Sequence, residues 1–410
     1  MLDTNVDVLI IGAGPSGCVA AGYLHKYGID VKVVEKNKFP RFVIGESLLP
    51  RCMHHFEEVD LLDCLKTQDF EIKTGARFLR GHNVAEFDFS KKHTEGYDWT
   101  WQMPRADFDK TLTDELVRRG VGIQFEQEVV GVEFETDGTS KTQIKTKEGD
   151  DYVINAKFII DASGHGRVLP RLLSLDKPPE LSQHSSIFTH VNDNKRPKGK
   201  EGSFITFDVL DKECWLWVIP FSNGKTSIGY VCTNDFLDSF KGSKTERLRS
   251  MLKLSDYYYE RFKDEDFLFE PWVLQNHSKS VTKLYGKGFA LTGNSAEFLD
   301  PVFSSGVTFA TESGLLSAKL ITKKLKGQTV DWESEYSDYI KKGVSVFGSY
   351  VREWYSGHLQ TIFFEGNTNP EIKRQICAVL AGYVWDDTNP FVKKHNRIIK
   401  TLATAIKMGV

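Results

Sequence analysis

The first part of the chain alternates between short apolar runs and a glycine-rich turn. Residues 6–11 form a nearly continuous apolar run, which is typical of a strand buried on both faces of a parallel sheet. The turn occupies residues 12–17, and a second short apolar run occupies residues 31–34. Small and apolar side chains at helical spacing lie between them. The pattern predicts a strand, a helix and a second strand of a parallel α/β sheet.

The turn has the glycine spacing of a dinucleotide-binding loop. Gly12 makes the tight turn, Gly14 lets a pyrophosphate approach the backbone, and Gly17 lets the following helix lie close to the strand. Glu35 ends the second strand, where a carboxylate accepts hydrogen bonds from the hydroxyls of an adenosine ribose. Strand, loop, helix and acid in this order make the prediction much more specific than three glycines alone.

Two later segments repeat the change from strand to tight turn. Residues 158–160 are apolar and lead into Asp161 and small residues, and residues 288–294 end in Gly293 and Asn294. The segment 298–306, which contains Asp300, then leads into a predicted helix whose first N–H groups suit an anion or the edge of a flavin. Three separated pieces therefore favour FAD over NAD as the resident nucleotide.

A second set of apolar runs alternates with polar positions and predicts an antiparallel sheet with one covered face. Its predicted strands are residues 187–191, 204–209, 214–220 and 226–231. Within the third strand, Trp215, Trp217 and Ile219 share a face, while Leu216 and Val218 point the other way. Two tryptophans at this spacing are, taken alone, more often core packing than a functional motif.

The pattern of elements predicts an α/β fold with a Rossmann-like FAD-binding domain, an inserted mainly antiparallel β-sheet substrate domain and a helical C-terminal region. The FAD-binding domain is predicted to be discontinuous, over residues 1–75, 100–180 and 280–330. The sheet domain takes residues 76–99 and 181–279, and the helical region takes residues 331–410. Within the first domain a helix is predicted at residues 108–119, and the basic amphipathic stretch 393–407 is predicted to be another.

Composition excludes several classes of protein. The 410 residues carry a formal net charge of −3, which gives no nucleic-acid signature. The six cysteines have no metal-type spacing, and we expect no metal site and a reducing, cytoplasmic location. No apolar run approaches the roughly 20 residues of a membrane-spanning helix, and no secretory leader precedes the first strand.

Taken together, these motifs resemble the flavin-dependent halogenases, in particular their phenol and pyrrole branch, within a superfamily that also holds FAD-dependent aromatic hydroxylases and geranylgeranyl reductases. The resemblance runs over nearly the whole chain. Its matching segments are the glycine loop and residues 40–47, 70–76, 215–220 and 300–306. Among them, only the Trp215 to Pro220 motif separates halogenases from their relatives.

The resemblance implies a mechanism in which reduced FAD, supplied by a separate flavin reductase, reacts with O2 and chloride or bromide to form hypohalous acid. Lys73 matches the lysine that presents the halogen to an aromatic ring, although a lysine without this context is usually a surface charge. The backbone around Ser305 and Gly306 matches the halide site. The tunnel between the halide site and Lys73 is predicted to be lined by the motif residues Trp215, Trp217, Ile219 and Pro220.

Further residues are placed at the FAD by the same resemblance: Arg41, Glu46, Ser47, Arg105, Asp161, Gly293, Asn294, Asp300 and Gly306. Two positions depart from relatives. Phe303 stands where tryptophan halogenases have a glutamate, which argues against free tryptophan as substrate. Asn294 stands where many relatives have an aspartate, and an amide can still hydrogen-bond a ribityl hydroxyl.

The implied substrate is an electron-rich aromatic, phenolic or pyrrole-like, either free or tethered to an acyl-carrier protein that the basic residues of 393–407 would attract.

Two other enzymatic functions share the fold. An FAD-dependent aromatic hydroxylase would take hydride from NAD(P)H itself, and a geranylgeranyl-reductase-like enzyme would reduce isoprenoid double bonds. A non-enzymatic flavoprotein would have no use for Lys73 beside an oxidant channel. Direct reduction by NADPH separates the hydroxylase from the halogenase.

Overall fold

The structure is a computed structural model that describes residues 4–365 and 369–409. Nineteen strands are assigned in this part of the chain: β1 Thr4–Ile11, β2 Val31–Glu35, β3 Glu71–Lys73, β4 Gly75–Arg80, β5 Asn83–Asp88, β6 Thr100–Gln102, β7 Gly122–Phe125, β8 Gln127–Phe134, β9 Ser140–Thr146, β10 Tyr152–Asp161, β11 Asp176–Lys177, β12 Ser185–Asn192, β13 Ile205–Asp211, β14 Cys214–Pro220, β15 Lys225–Cys232, β16 Trp272–Leu274, β17 Ser280–Val281, β18 Tyr285–Gly286 and β19 Phe289–Leu291.

The described residues also form fifteen α-helices: α1 Pro15–Lys26, α2 Arg51–Glu58, α3 Leu62–Lys66, α4 Arg105–Arg118, α5 Val168–Leu172, α6 Lys200–Ser203, α7 Asn234–Ser239, α8 Lys244–Leu252, α9 Tyr259–Phe262, α10 Gly306–Leu325, α11 Asp338–Tyr355, α12 His358–Phe364, α13 Pro370–Leu380, α14 Pro390–Lys393 and α15 His395–Met408. No helix in residues 4–365 and 369–409 has the length and hydropathy needed to cross a membrane.

The first sheet has eight strands and a parallel centre. Its main path runs β18-β19-β10-β1-β2-β7. Strand β9 pairs with β10, and β8 pairs with β9. Strand β1 pairs in parallel with both β10 and β2. Val8, Leu9 and Ile10 are fully buried in β1, as expected for a strand with both faces covered. The predicted parallel α/β unit is confirmed, and helix α1 lies against α10.

The second sheet has seven strands in the order β16-β12-β15-β14-β13-β4-β5. The pairs β12–β15, β15–β14 and β14–β13 are antiparallel, while β13 and β4 are parallel. The four predicted strands are therefore all present. Trp215, Trp217 and Ile219 belong to one hydrophobic core, and Leu216 and Val218 belong to another, as the strand period requires.

The prediction that only one face of this sheet is covered is wrong. Every residue of β14 is buried, because α8 and α9 place Leu248, Met251 and Phe262 in the core on the second face. A strand buried on both faces has no polar alternation to detect, so the prediction from alternation could not apply to the central strands.

Helix α4 begins at Arg105, three residues before the predicted start at Phe108. Pro104 immediately precedes it, and a proline is well tolerated there because its missing N–H would have no partner inside the helix. The earlier start brings Arg105 and Asp109 onto the same face, one turn apart.

The division into domains that the sequence predicts stays a prediction.

The C-terminal region is helical, as predicted, over its described residues; residues 366–368 and 410 lie outside them. Tyr336, Tyr350 and Trp354 are fully buried, so these aromatic side chains belong to the hydrophobic core. Helix α15 lies against α11 and α12 and buries Ile399 and Ala403. Its basic residues, among them Lys393, Lys394, Arg397 and Lys400 in and beside the helix, are exposed.

Candidate functional site

A cavity of about 490 Å³ lies between the two sheets, with the glycine loop on one side and β14 on the other. Fourteen of the residues predicted from the sequence line it: Gly12, Gly14, Glu35, Arg41, Glu46, Ser47, Arg105, Trp215, Trp217, Ile219, Gly293, Asn294, Ser305 and Gly306. Gly17, Lys73, Asp161, Pro220 and Asp300 are not on its wall. The fold thus brings residues from 12–47, 105, 215–219 and 293–306 to one cavity.

The three glycines of the loop have different surroundings. Gly12 has φ +101°, and a Cβ there would lie 2.5 Å from the carbonyl oxygen of Ala162. A Cβ on Gly17 would lie 2.0 Å from the carbonyl oxygen of Gly12, so the start of α1 packs directly on the turn. A Cβ on Gly14 would meet only the Arg41 guanidinium, at 3.8 Å. Gly14 therefore faces open space in the cavity, where a pyrophosphate would lie.

Glu35 is buried at the end of β2 and braces the loop. Its carboxylate accepts hydrogen bonds from the Ala13 amide at 3.0 Å and from the Asn37 amide and side chain at 2.9 and 3.1 Å. An ionised carboxylate has about four acceptor positions, so one remains for a ribose hydroxyl on the cavity side.

A pair of arginines shares one carboxylate at the cavity wall. Arg105 makes a bidentate ion pair with Asp109, with N–O distances of 2.8 and 2.9 Å, and Arg41 donates to the same carboxylate at 3.1 Å. All three side chains are largely buried. Arg41 Nε also lies 3.8 Å from Glu35 Oε1, so two carboxylates balance the two guanidinium groups. Guanidinium N–H groups beside the glycine loop remain suitable donors for a pyrophosphate.

The loop that ends in α10 lies across the cavity. Ser305 is buried and Gly306 begins a helix of 20 residues, so the unpaired N–H groups of the first turn are directed at this end of the cavity. Asn294 approaches from the turn after β19, where its Nδ2 lies 3.2 Å from His165 Nε2. Gly293 donates its backbone N–H to Ser313 at 2.9 Å, which joins that turn to α10.

The two motif tryptophans present their rings to the cavity and hydrogen-bond behind it. Trp215 Nε1 donates to the Tyr355 hydroxyl at 3.2 Å, and Trp217 Nε1 donates to Ser227 Oγ at 3.1 Å. Tyr355 in turn donates to Asp300 at 3.0 Å. With both indole N–H groups satisfied, the rings are held rigidly as an apolar wall. Pro220 instead accepts a hydrogen bond from Gln102 through its carbonyl, at 2.8 Å.

Asp161 and Asp300 are buried behind the wall and organise its backbone. Asp161 accepts the amides of Ser163 and Leu169 at 2.9 and 2.7 Å, and burial raises its pKa. Asp300 accepts the Val302 amide at 3.0 Å, and burial raises its pKa to about 7. Neither carboxylate reaches the cavity directly.

Lys73 is 2% exposed and lies at the end of β3. Its Nζ donates to Ser47 Oγ and to the Leu48 carbonyl, both at 2.8 Å, and lies 5.6 Å from the centre of the Phe89 ring. Burial lowers the pKa of the amine to about 7. Because Ser47 lines the cavity, one hydroxyl separates the cavity from this buried amine.

Several buried polar atoms on the cavity wall lack a partner within the described residues. They are Glu46 Oε2, Gln127 Oε1 and both ring nitrogens of His277. Burial lowers the pKa of His277 to about 3, so its imidazole is neutral near pH 7. Leaving such atoms unpaired is costly, and a large polar ligand would satisfy them. The open Gly14, the free acceptor of Glu35 and the paired arginines fit the adenosine diphosphate half of FAD.

Sequence reasoning missed four residues of this site: Asp109, His190, His277 and Tyr355. Asp109 follows Arg105 by one helical turn, and that spacing was a usable signal. The other three have no local signal, because they reach the site only through the packing of β12, of the segment after β16 and of α11. His190 is paired with Glu46, with 2.7 Å between Nε2 and Oε1.

Comparisons with known proteins agree with this geometry. The model of the FAD binding domain family matches residues 5–234. A 1H-pyrrole-2-carbonyl-[peptidyl-carrier protein] chlorinase of Pseudomonas fluorescens is 29% identical over 422 residues, covering 94% of this chain and 91% of the relative. The corresponding brominase of Pseudoalteromonas luteoviolacea is 26% identical over 389 residues, with 93% of each chain covered.

A solved structure described as a flavoprotein/dehydrogenase from Cytophaga hutchinsonii is 52% identical, superposes with a TM-score of 0.97 and covers 99% of each chain. The family model spans more than half of the chain, and FAD is the cofactor that it implies. The predicted resemblance to flavin-dependent halogenases is confirmed, and the chain belongs to the FAD binding domain family, as a flavoprotein of the oxidoreductase type.

Proposed function

We propose that this protein is an FAD-dependent halogenase that uses O2 and chloride or bromide to halogenate an electron-rich aromatic ring. One observation carries the proposal: the 2.8 Å hydrogen bond between Lys73 Nζ and Ser47 Oγ connects a buried amine to the cavity that fits FAD. A hydroxylase or a reductase has no need for such an amine, whereas an oxidised halogen needs a nucleophile or hydrogen-bond donor to carry it.

Bound FAD, once reduced, supplies the two electrons that allow O2 to oxidise a halide to hypohalous acid. The chain's own part is to hold the halide and to exclude competing reactions. The first N–H groups of α10, at Ser305 and Gly306, suit a large anion without adding a reactive amine. The apolar faces of Trp215, Trp217 and Ile219 keep the neighbouring space dry.

Lys73 then receives the oxidant on the far side of Ser47. In the neutral form its lone pair either accepts a hydrogen bond from hypohalous acid or attacks the halogen, which gives a haloamine and water. Transfer of the halogen to the ring releases a ring proton and restores the amine. The two hydrogen bonds to Ser47 and Leu48 hold Nζ in place when the neutral amine meets the oxidant, and the haloamine keeps one N–H for one of these acceptors.

The substrate proposal follows the two relatives that act on a pyrrole-2-carbonyl group tethered to a peptidyl-carrier protein. We infer a phenolic or pyrrole-like ring, held on a carrier of the same kind. The exposed basic residues beside and within α15 would attract an acidic carrier. A separate flavin reductase supplies the reduced FAD.

The pH dependence of halogenation tests the role of Lys73. The rate is expected to fall as pH decreases through about 7, because burial lowers the pKa of Lys73 to about 7 and protonation removes the lone pair. The measurement is the single-turnover rate of ring halogenation between about pH 5.5 and 9. A rate that stays constant across neutral pH would show that Lys73 does not titrate in the reaction.

The function itself is tested without the natural substrate. Purified protein is mixed with chemically reduced FAD, O2 and bromide, and bromination of a small enol trap is followed by mass spectrometry, with free FAD as control. Protein-dependent bromination supports the halogenase. Release of hydrogen peroxide alone, together with direct reduction of the bound FAD by NADPH, would instead favour a hydroxylase. The same NADPH assay tests whether this chain has a dehydrogenase activity like the one named for the 52% identical flavoprotein/dehydrogenase.

A further inference from the structure

Glu46 is a buried carboxylate with one oxygen left open to the cavity. The residue is 1% exposed and lies on the cavity wall. Its Oε1 lies 2.7 Å from His190 Nε2, and its Oε2 has no hydrogen-bond partner within the described residues. A carboxylate only accepts hydrogen bonds, so Nε2 of His190 carries the proton in this pair.

His190 lies on β12, behind Glu46 as seen from the cavity. Its ring is enclosed by the phenyl rings of Phe42, Phe221 and Phe269, with centroid distances of 5.6, 5.2 and 5.0 Å. The side chain nevertheless keeps 11% of its surface exposed. The imidazole is therefore fixed toward Glu46, and part of its surface stays accessible to solvent.

Two cations from other elements bond to residues beside Glu46. Arg105 of α4 donates Nη1 to the carbonyls of Ile44 and Gly45, next to Glu46. Lys73 of β3 donates to Ser47, the following residue. Neither cation is hydrogen-bonded to the Glu46 carboxylate, and within the described residues His190 is the hydrogen-bond partner of that carboxylate.

We propose that His190 and Glu46 deliver the proton that halide oxidation consumes in this cavity, an inference that rests on the proposed halogenase function. The overall step is reduced FAD plus O2 plus halide plus one proton, giving oxidised FAD, hypohalous acid and water. His190, as the imidazolium, passes its Nε2 proton to Glu46 Oε1, becomes neutral and regains a proton from solvent. Rotation of the carboxyl group about its soft terminal torsion then turns the protonated Oε1 toward the cavity, into the position that Oε2 held.

Chemical rescue tests the proposal. Glu46→Ala and His190→Ala are expected to slow bromide oxidation by about 100-fold, which is within the range for loss of a general acid. Formate should restore the first variant and imidazole the second, each in proportion to the concentration of the added acid. Glu46→Gln, which keeps the volume but holds no acidic proton, should stay slow. Asp208→Asn is the matched control. Asp208 is a buried carboxylate in the sheet that contains His190, and it accepts a hydrogen bond from Ser255 away from the cavity.

Two results would overturn the proposal: wild-type rates in the Glu46 and His190 variants, or slow rates that no added acid restores although FAD binding is unchanged. A wild-type protein that oxidises no bromide would instead refute the halogenase function, and with it this inference.

A second measurement needs no turnover. In ¹⁵N-histidine-labelled protein with oxidised FAD bound, the hydrogen-bonded Nε2 proton of His190 should give a downfield resonance that is missing in His190→Ala and displaced in Glu46→Ala.

Discussion

Lys73→Met is expected to abolish ring halogenation, by at least about 1,000-fold, while FAD binding and halide oxidation continue. A variant that loses the nucleophile of a covalent or hydrogen-bonded relay loses the step as a whole. Methionine keeps the length of the side chain and cannot carry the halogen. The measurements are FAD affinity by fluorescence quenching, bromination of a freely diffusing trap, and halogenation of the ring substrate.

The same substitution is expected to remove the pH dependence of stability that the buried amine creates above about pH 7. In the wild type, stability should rise with pH between about 7 and 10.5, since there the unfolded chain binds a proton at Lys73 that the folded chain does not. Thermal unfolding at several pH values measures both effects.

Lys91→Met is the matched control, because Lys91 is an exposed lysine close to Phe89, against which Lys73 lies. It should change neither halogenation nor stability measurably. Full ring halogenation by Lys73→Met would refute the role of Lys73, and a pH dependence of stability that is unchanged in Lys73→Met would refute the lowered pKa of its amine.

Gly17→Ala is expected to prevent FAD binding and to destabilise the protein by several kcal/mol, roughly 3 or more, as overpacking against rigid backbone does. The added Cβ would lie 2.0 Å from the Gly12 carbonyl oxygen and 3.2 Å from the Ile10 side chain. Helix α1 must then move away from the turn, and the N–H groups at its start leave the position that a pyrophosphate requires.

Gly122→Ala is the control for this prediction, since a Cβ on Gly122 would meet no atom within 4 Å. Its FAD affinity and melting temperature should match those of the wild type. The measurements are FAD titration by fluorescence and thermal unfolding with and without FAD. Tight FAD binding by Gly17→Ala would show that the loop is not the pyrophosphate site.

Local geometry explains which parts of the site could be predicted. The glycine loop and Glu35 lie within one strand, helix and strand unit, and the spacing of residues along such a unit determines where each side chain lies. The common face of Trp215, Trp217 and Ile219 follows from the two-residue period of a strand. The role of Lys73 was predicted from the resemblance of residues 70–76 to a family segment. The residues around Lys73 in the sequence do not indicate that its side chain is buried.

The amino-acid sequence by itself determined the α/β fold, the dinucleotide loop and the face of the tryptophan motif, because all three depend on neighbouring residues in the chain. Only the tertiary structure decided that Lys73 meets Ser47, 26 residues away, and that Glu46 meets His190, 144 residues away. The physical reason is that burial, the pKa of an amine and the partner of a carboxylate depend on how separate strands pack together. The covered second face of the β14 sheet was decided in the same way.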